Sequence, residues 1–166
     1  MNDENNLLDE DQPEYEEILR KSYEDIECTF NQRFMVFVYG SLKRGFSNHS
    51  LLTSSKFCGI TETVDPIFEM YSLGSFPAVV ETGNGFHITG ELYEIDSVTL
   101  KMLDRLEGNG SLYTRKLVKI WFGTEQGEAW MYIMPELLEF QEQNLQTSSR
   151  FVNTNSNLNT QEWNQY

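Results

Sequence analysis

Six consecutive apolar and aromatic side chains, Phe34 to Tyr39, run directly into Gly40. A run of that length and composition favours an interior strand over a helix. Gly45 follows five residues later, so the strand empties into a glycine-punctuated turn that can gather several backbone N–H groups at one point. A phosphate loop is the first chemistry to test. Gly40 and Gly45 have the G-x4-G spacing, but Phe46 stands where the phosphate-binding lysine is required, although Ser47 follows in register. Nucleotide hydrolysis is therefore not expected here. An ordinary strand-to-loop turn with two glycines remains the plain alternative.

A second group of segments decides between these. It comprises Gly90 to Asp96, then Leu103-Asp104-Arg105-Leu106-Glu107-Gly108, then Tyr113-Thr114-Arg115. Together with the Val36–His49 stretch they resemble the gamma-glutamylcyclotransferase-like family, most closely its gamma-glutamylamine branch. The likeness runs from about Met35 to Tyr132 and leaves out both ends. It implies that Tyr39, Gly40, Ser41 and Leu42 hold the glutamyl end of a substrate largely through backbone groups. It places the catalytic glutamate at Glu107 and a pocket tyrosine at Tyr113, and Tyr132 fits an aromatic position of the last strand.

The implied reaction is chemically self-sufficient. The alpha-amino group of a gamma-glutamyl amide attacks its own side-chain carbonyl, forming 5-oxoproline and releasing an amine, with no water consumed and no enzyme nucleophile. One carboxylate can carry the proton from the attacking nitrogen to the leaving one. Fixed donors for the oxyanion and a folded substrate supply the rest. The implied enzyme, of the transferase or lyase class, needs no cofactor.

The residues around Glu107 point the same way without the resemblance. Asp96 or Ser97 can cap a helix with Val98, Leu100, Met102, Leu103 and Leu106 as its core face, and Gly108 suits its end. Glu107 falls in the last turn, where the helix dipole and any burial both disfavour its ionised form. Position alone would allow an ordinary solvated carboxylate. Glu91 reads as structural, Asp104 and Arg105 as helix-surface residues. His49 and His87 belong to no cluster with metal-ligand spacing, so no zinc site is expected.

Strands are expected over Phe34–Tyr39, Phe57–Val64, Ile67–Leu73, Phe86–Ile95, Leu117–Phe122 and Glu128–Ile133. Short helices fall near Asn48–Ser54 and Val98–Glu107, with turns at Gly74, at Phe76-Pro77 and across Gly83-Asn84-Gly85. The pattern is an α+β domain with a strongly twisted or closed sheet. The resemblance sharpens it to a small, closed or nearly closed β-barrel flanked by short helices. The expected organisation is a disordered acidic stretch over 1–12, a helical extension over 13–33, the domain over 34–142 and a polar Asn/Gln-rich tail over 143–166. Within these ends, Pro13 opens a helix of about thirteen residues, and a short helix runs from Pro135 through Leu138 and Phe140.

Charge limits the partners. The net charge is −14, and the first thirty residues carry eleven acidic and two basic side chains, whereas the strand-rich part is nearly balanced. Nucleic acid and anionic membrane surfaces are disfavoured partners. Two cysteines, Cys28 and Cys58, form no disulfide framework, and no apolar run approaches the ~20 residues needed to span a bilayer. With an acidic N-terminus unlike a signal peptide, the expectation is a cytoplasmic protein. Two further readings stay open: a binding or regulatory protein that meets a partner through the N-terminal helix or the C-terminal tail, and removal of a gamma-glutamyl protecting group from a larger biosynthetic product.

Overall fold

The computed structural model describes residues 13–135 and 152–164. The chain divides into two compact units, Met1–Gln32 and Arg33–Tyr166. The first contains α1, Pro13–Asn31, longer than the expected thirteen residues. The i,i+4 pairs Arg20–Glu24 and Lys21–Glu17, at 2.8 and 2.9 Å, brace its exposed surface. The acidic stretch 1–12 and the helix expected after Pro135 lie outside the described residues, and among those described no helix is long and apolar enough to cross a membrane.

Among the described residues the second unit carries nine strands, one α-helix and one short 3-10 helix: β1 Arg33–Val38, the 3-10 turn His49–Leu52 where a short helix is expected, β2 Lys56–Glu62, β3 Phe68–Ser72, β4 Pro77–Glu81, β5 His87–Asp96, α2 Ser97–Glu107, β6 Thr114–Phe122, β7 Glu125–Ile133, β8 Val152–Asn155 and β9 Thr160–Trp163. The main sheet runs β6-β7-β1-β5-β9-β8, with β2 also paired to β5. A bridge from Thr63 to Ile120 brings the end of β2 against β6, so the sheet curls back toward closure. β3 and β4 form a separate two-stranded ribbon. This is the expected α+β fold, a sheet curled toward a barrel with α2 packed against it.

β1 explains the uninterrupted apolar run. Phe37 packs inside the barrel with Met70, Ile120 and Met131. Val36 and Val38 point to the opposite face, into a second core that includes Leu100 and Leu103 of α2. Both faces of the strand are covered, so period-2 alternation disappears from the sequence.

Three expectations change. Residues 77–81 form β4 although Phe76-Pro77 reads as a turn, because Pro77 occupies the first strand position, where its missing N–H is tolerated. Of the stripe expected on α2 only Leu100 and Leu103 are buried, whereas Val98, Met102 and Leu106 are substantially exposed. The largest difference is at the end of the chain. Within the stretch read as a polar tail, β8 and β9 form a hairpin, and β9 joins β5 in parallel through His87–Thr160 and Ile88–Gln161. Val152, Gln161 and Trp163 are buried. The Gln161 carboxamide oxygen accepts from the Met70 N–H at 2.7 Å, so a polar side chain belongs to the core because it satisfies a backbone donor there.

Candidate active site

A cavity of about 300 Å³ opens where β1 ends, walled by the turn after β1, the β3–β4 connection and the end of α2. The residues that the resemblance implies for catalysis and substrate binding all line it: Tyr39, Gly40, Ser41, Leu42, Glu107 and Tyr113. Tyr132 lines it too.

The turn is built by its own backbone. The Lys43 N–H donates to the Gly40 carbonyl at 3.0 Å, and the Asn48 N–H to the Ser41 carbonyl at 3.0 Å. Asn48 Nδ2 donates to Ser41 Oγ at 2.9 Å, and His49 Nδ1 bonds the Leu42 carbonyl at 3.1 Å. Glu91 holds the turn from outside. Its carboxylate accepts from the Arg44 N–H at 2.9 Å, the Arg44 side chain at 3.2 Å and the Tyr93 hydroxyl at 2.8 Å. Burial works to raise the Glu91 pKa, but these donors and the Arg44 charge outweigh it and hold it below the ordinary value. Glu91 is thus a structural anion that holds the turn. Among the described residues the N–H groups of Gly40, Ser41 and Leu42 meet no backbone or side-chain acceptor. Three donors on cavity-lining residues are therefore available to a ligand.

Gly40 is required for a close approach. A Cβ there would lie 2.9 Å from Pro77 Cγ and 3.0 Å from Cδ, against a ring that cannot swing away. Gly40→Ala is expected to push the turn off Pro77, costing about 1–3 kcal/mol in a urea titration, as overpacking does. It should also weaken ligand binding at the cavity, measurable by calorimetry.

Glu107 ends α2. The helix starts at Asp96, whose side chain accepts from the Thr99 N–H at 2.7 Å, and stops at Gly108 in the left-handed conformation, φ 58°. Half-buried Glu107 makes no hydrogen bond or ion pair among the described residues, and burial pushes its pKa up to about 7. Burial also raises Tyr39 and Tyr113, and the Glu107 charge adds to the rise in both. Their hydroxyls are engaged: Tyr39 donates to the Tyr132 carbonyl at 2.7 Å and Tyr113 to the Pro77 carbonyl at 3.0 Å. They serve as fixed walls of the cavity.

Asp104, expected on the helix surface, ties down the turn that presents Glu107. It accepts from Arg115 Nη1 at 2.8 and 2.9 Å, from the Tyr132 hydroxyl at 2.7 Å and from Asn109 Nδ2 at 3.1 Å. Two of its donors, Arg115 and Tyr132, come from strands β6 and β7, so no local pattern announces its role. Ser47, Asn48, Ser75, Phe76 and Pro77 also line the cavity without having been singled out as site residues. Only the Phe76-Pro77 turn signal hinted at part of this wall. His49 and His87 are both bonded to backbone carbonyls, and among the described residues no three His, Cys, Asp or Glu side chains gather to hold a metal.

A half-buried carboxyl that titrates near neutrality, beside free backbone donors, can move a proton next to a bound anionic oxygen. Fold and cavity define a class of small α+β barrels with one carboxylate in a compact pocket. The chain belongs to the gamma-glutamyl cyclotransferase, AIG2-like family, whose model matches residues 36–157. It is 47% identical over 103 residues to a Methanocaldococcus jannaschii protein provisionally named a gamma-glutamylcyclotransferase, covering 61% of this chain and 84% of that one. It is 40% identical over 98 residues to the Escherichia coli gamma-glutamylcyclotransferase family protein YtfP, covering 59% and 80%. Among solved structures, a mouse AIG2-like protein superposes with a TM-score of 0.59 at 26% identity, over 66% of this chain and 82% of that one.

Proposed function

We propose that the protein cyclises gamma-glutamyl amides of small amines, releasing 5-oxoproline and the free amine, with Glu107 as the proton shuttle. The observation that carries this reading is the lone carboxyl of the cavity, with a pKa of about 7 and no partner among the described residues, beside three unclaimed N–H groups.

The steps follow from what each group can do. The turn Tyr39–Leu42 holds the glutamyl end, and its N–H groups stabilise the negative charge that grows on the amide oxygen. Ionised Glu107 takes a proton from the alpha-ammonium, freeing the nitrogen to attack the side-chain carbonyl carbon. The new C–N bond closes the five-membered ring. Protonated Glu107 returns the proton to the departing nitrogen, the old C–N bond breaks, and the ring nitrogen gives its second proton to the released amine, which leaves as an ammonium. A carboxyl near pH 7 suits both halves, since it is neither too weak a base nor too weak an acid.

The test is 5-oxoproline release by the full chain from gamma-glutamylethylamide, gamma-glutamyl-ε-lysine, gamma-glutamylalanine and glutathione. Release from at least one amide supports the reading, and none from any of them, with the protein folded, overturns it. The pH profile is specific. Because Glu107 must start ionised, kcat/KM is expected to rise with pH through a limb centred near 7, separate from the limb of the substrate's own amine.

A further inference from the structure

Resting on that reading, we propose that the amine released is a small apolar one, selected by Phe76, Leu106 and Leu112 at the cavity wall. These three come from different places: the β3–β4 connection, the last turn of α2 and the loop before β6. They leave 38%, 41% and 38% of their surface exposed, although such side chains are usually buried. Leu106 directly precedes Glu107 and Leu112 follows it by five residues, and all three line the same cavity as Glu107, which must meet the leaving nitrogen.

Charge narrows the choice. Among the described lining residues Glu107 is the one side chain that carries charge near neutrality, since Tyr39, Tyr113 and Tyr132 are all raised by burial. A leaving group with a free carboxylate, such as an amino acid or a dipeptide, finds no cation in this lining and is repelled by Glu107. A leaving group with a second ammonium would pair with Glu107 and lower its pKa, removing the proton it must return. An alkyl or aryl amine has neither difficulty. Size agrees: about 300 Å³ is at the small end of ligand cavities and leaves modest room beyond the glutamyl head. The atoms balance as before: one C–N bond made, one broken, one proton relayed by Glu107 and a second passed from the ring nitrogen to the released amine.

The test measures binding and turnover separately. Calorimetry on full-length Glu107→Gln gives affinities for gamma-glutamylethylamide, gamma-glutamyl-n-butylamide, gamma-glutamyl-ε-lysine and glutathione, and wild type is assayed for 5-oxoproline with the same four. Two added methylenes are expected to tighten binding roughly tenfold, from about 0.8 kcal/mol each. Leu112→Ala and Phe76→Ala should each remove much of that gain, read as the ratio of butylamide to ethylamide affinity within each variant. If wild type turns over the lysine derivative or glutathione as well as the butylamide, the inference is overturned and the cyclotransferase reading stands. Selective butylamide binding without any 5-oxoproline sinks the reading but leaves the pocket's apolar preference established. Failure of all four to bind overturns both.

Discussion

Glu107→Gln is expected to lower 5-oxoproline release by about 10²- to 10⁴-fold, the usual range for removing a general acid–base, or roughly 3–5 kcal/mol of transition-state stabilisation. Gln keeps the shape of the side chain and neither takes nor gives the proton. The loss should appear in kcat more than in KM, because the N–H groups of Gly40 to Leu42 still hold the substrate. Stability supplies an independent readout with the opposite sign. The folded-state pKa of Glu107 is raised from 4.5 to about 7 by burial, so the native protein binds this proton more tightly than the unfolded chain does. The associated stability is fully present below about 4.5 and is lost as pH rises through about 7. Wild type and Glu107→Gln should therefore unfold alike near pH 4.5. At pH 8 the variant should be more stable by about 2–3 kcal/mol, since burying the amide avoids desolvating a charge. A variant that is inactive but no more stable at pH 8 would mean that Glu107 is not held in the environment described.

That trade between stability and chemistry was partly visible in the sequence, for reasons that separate local signals from long-range ones. The cavity residues Tyr39 to Leu42 follow from a strand that ends on a glycine, and Glu107 from a helix bracketed by Asp96 and Gly108. Such signals lie within a few residues of what they determine. Asp104 is different. Its partners Arg115 and Tyr132 sit on β6 and β7, so its role exists only after the sheet has formed. Leu106 reads as core by its spacing, yet the helix stripe ends at Leu103 and the next turn faces the cavity. β4 was concealed by a proline whose effect depends on strand position. The last hairpin was concealed by composition. Asn and Gln suggest a solvated tail, but a backbone ladder and three buried side chains suffice to bind it to the barrel.

Trp163→Ala measures how much that hairpin contributes, and a loss of about 3–5 kcal/mol is expected, as for other buried aromatic truncations. Trp163 is 3% exposed and packs in the barrel core beside Val152 and Ile88. Against a typical total of about 5–15 kcal/mol, urea denaturation followed by circular dichroism should show a large drop in midpoint. The effect should extend to the cavity through Lys43, which lies in the turn after β1 and is itself 6% exposed. Its ammonium bonds the Trp163 carbonyl at 2.8 Å and the Glu162 carboxylate at 3.0 Å, fastening the hairpin to the turn that carries Gly40 to Leu42. The lysine end of this pair is buried while Glu162 is 37% exposed, so removing the carboxylate leaves a buried ammonium with the Trp163 carbonyl as its remaining partner, whereas replacing both ends by apolar groups leaves no charge to solvate. Glu162→Gln, which strands the Lys43 charge, should therefore destabilise the protein more than Lys43→Met together with Glu162→Leu. If the double substitution retains stability but loses substrate affinity, the hairpin acts on the cradle through the position of the turn. If Trp163→Ala leaves the denaturation midpoint unchanged, the hairpin is not part of the cooperative core.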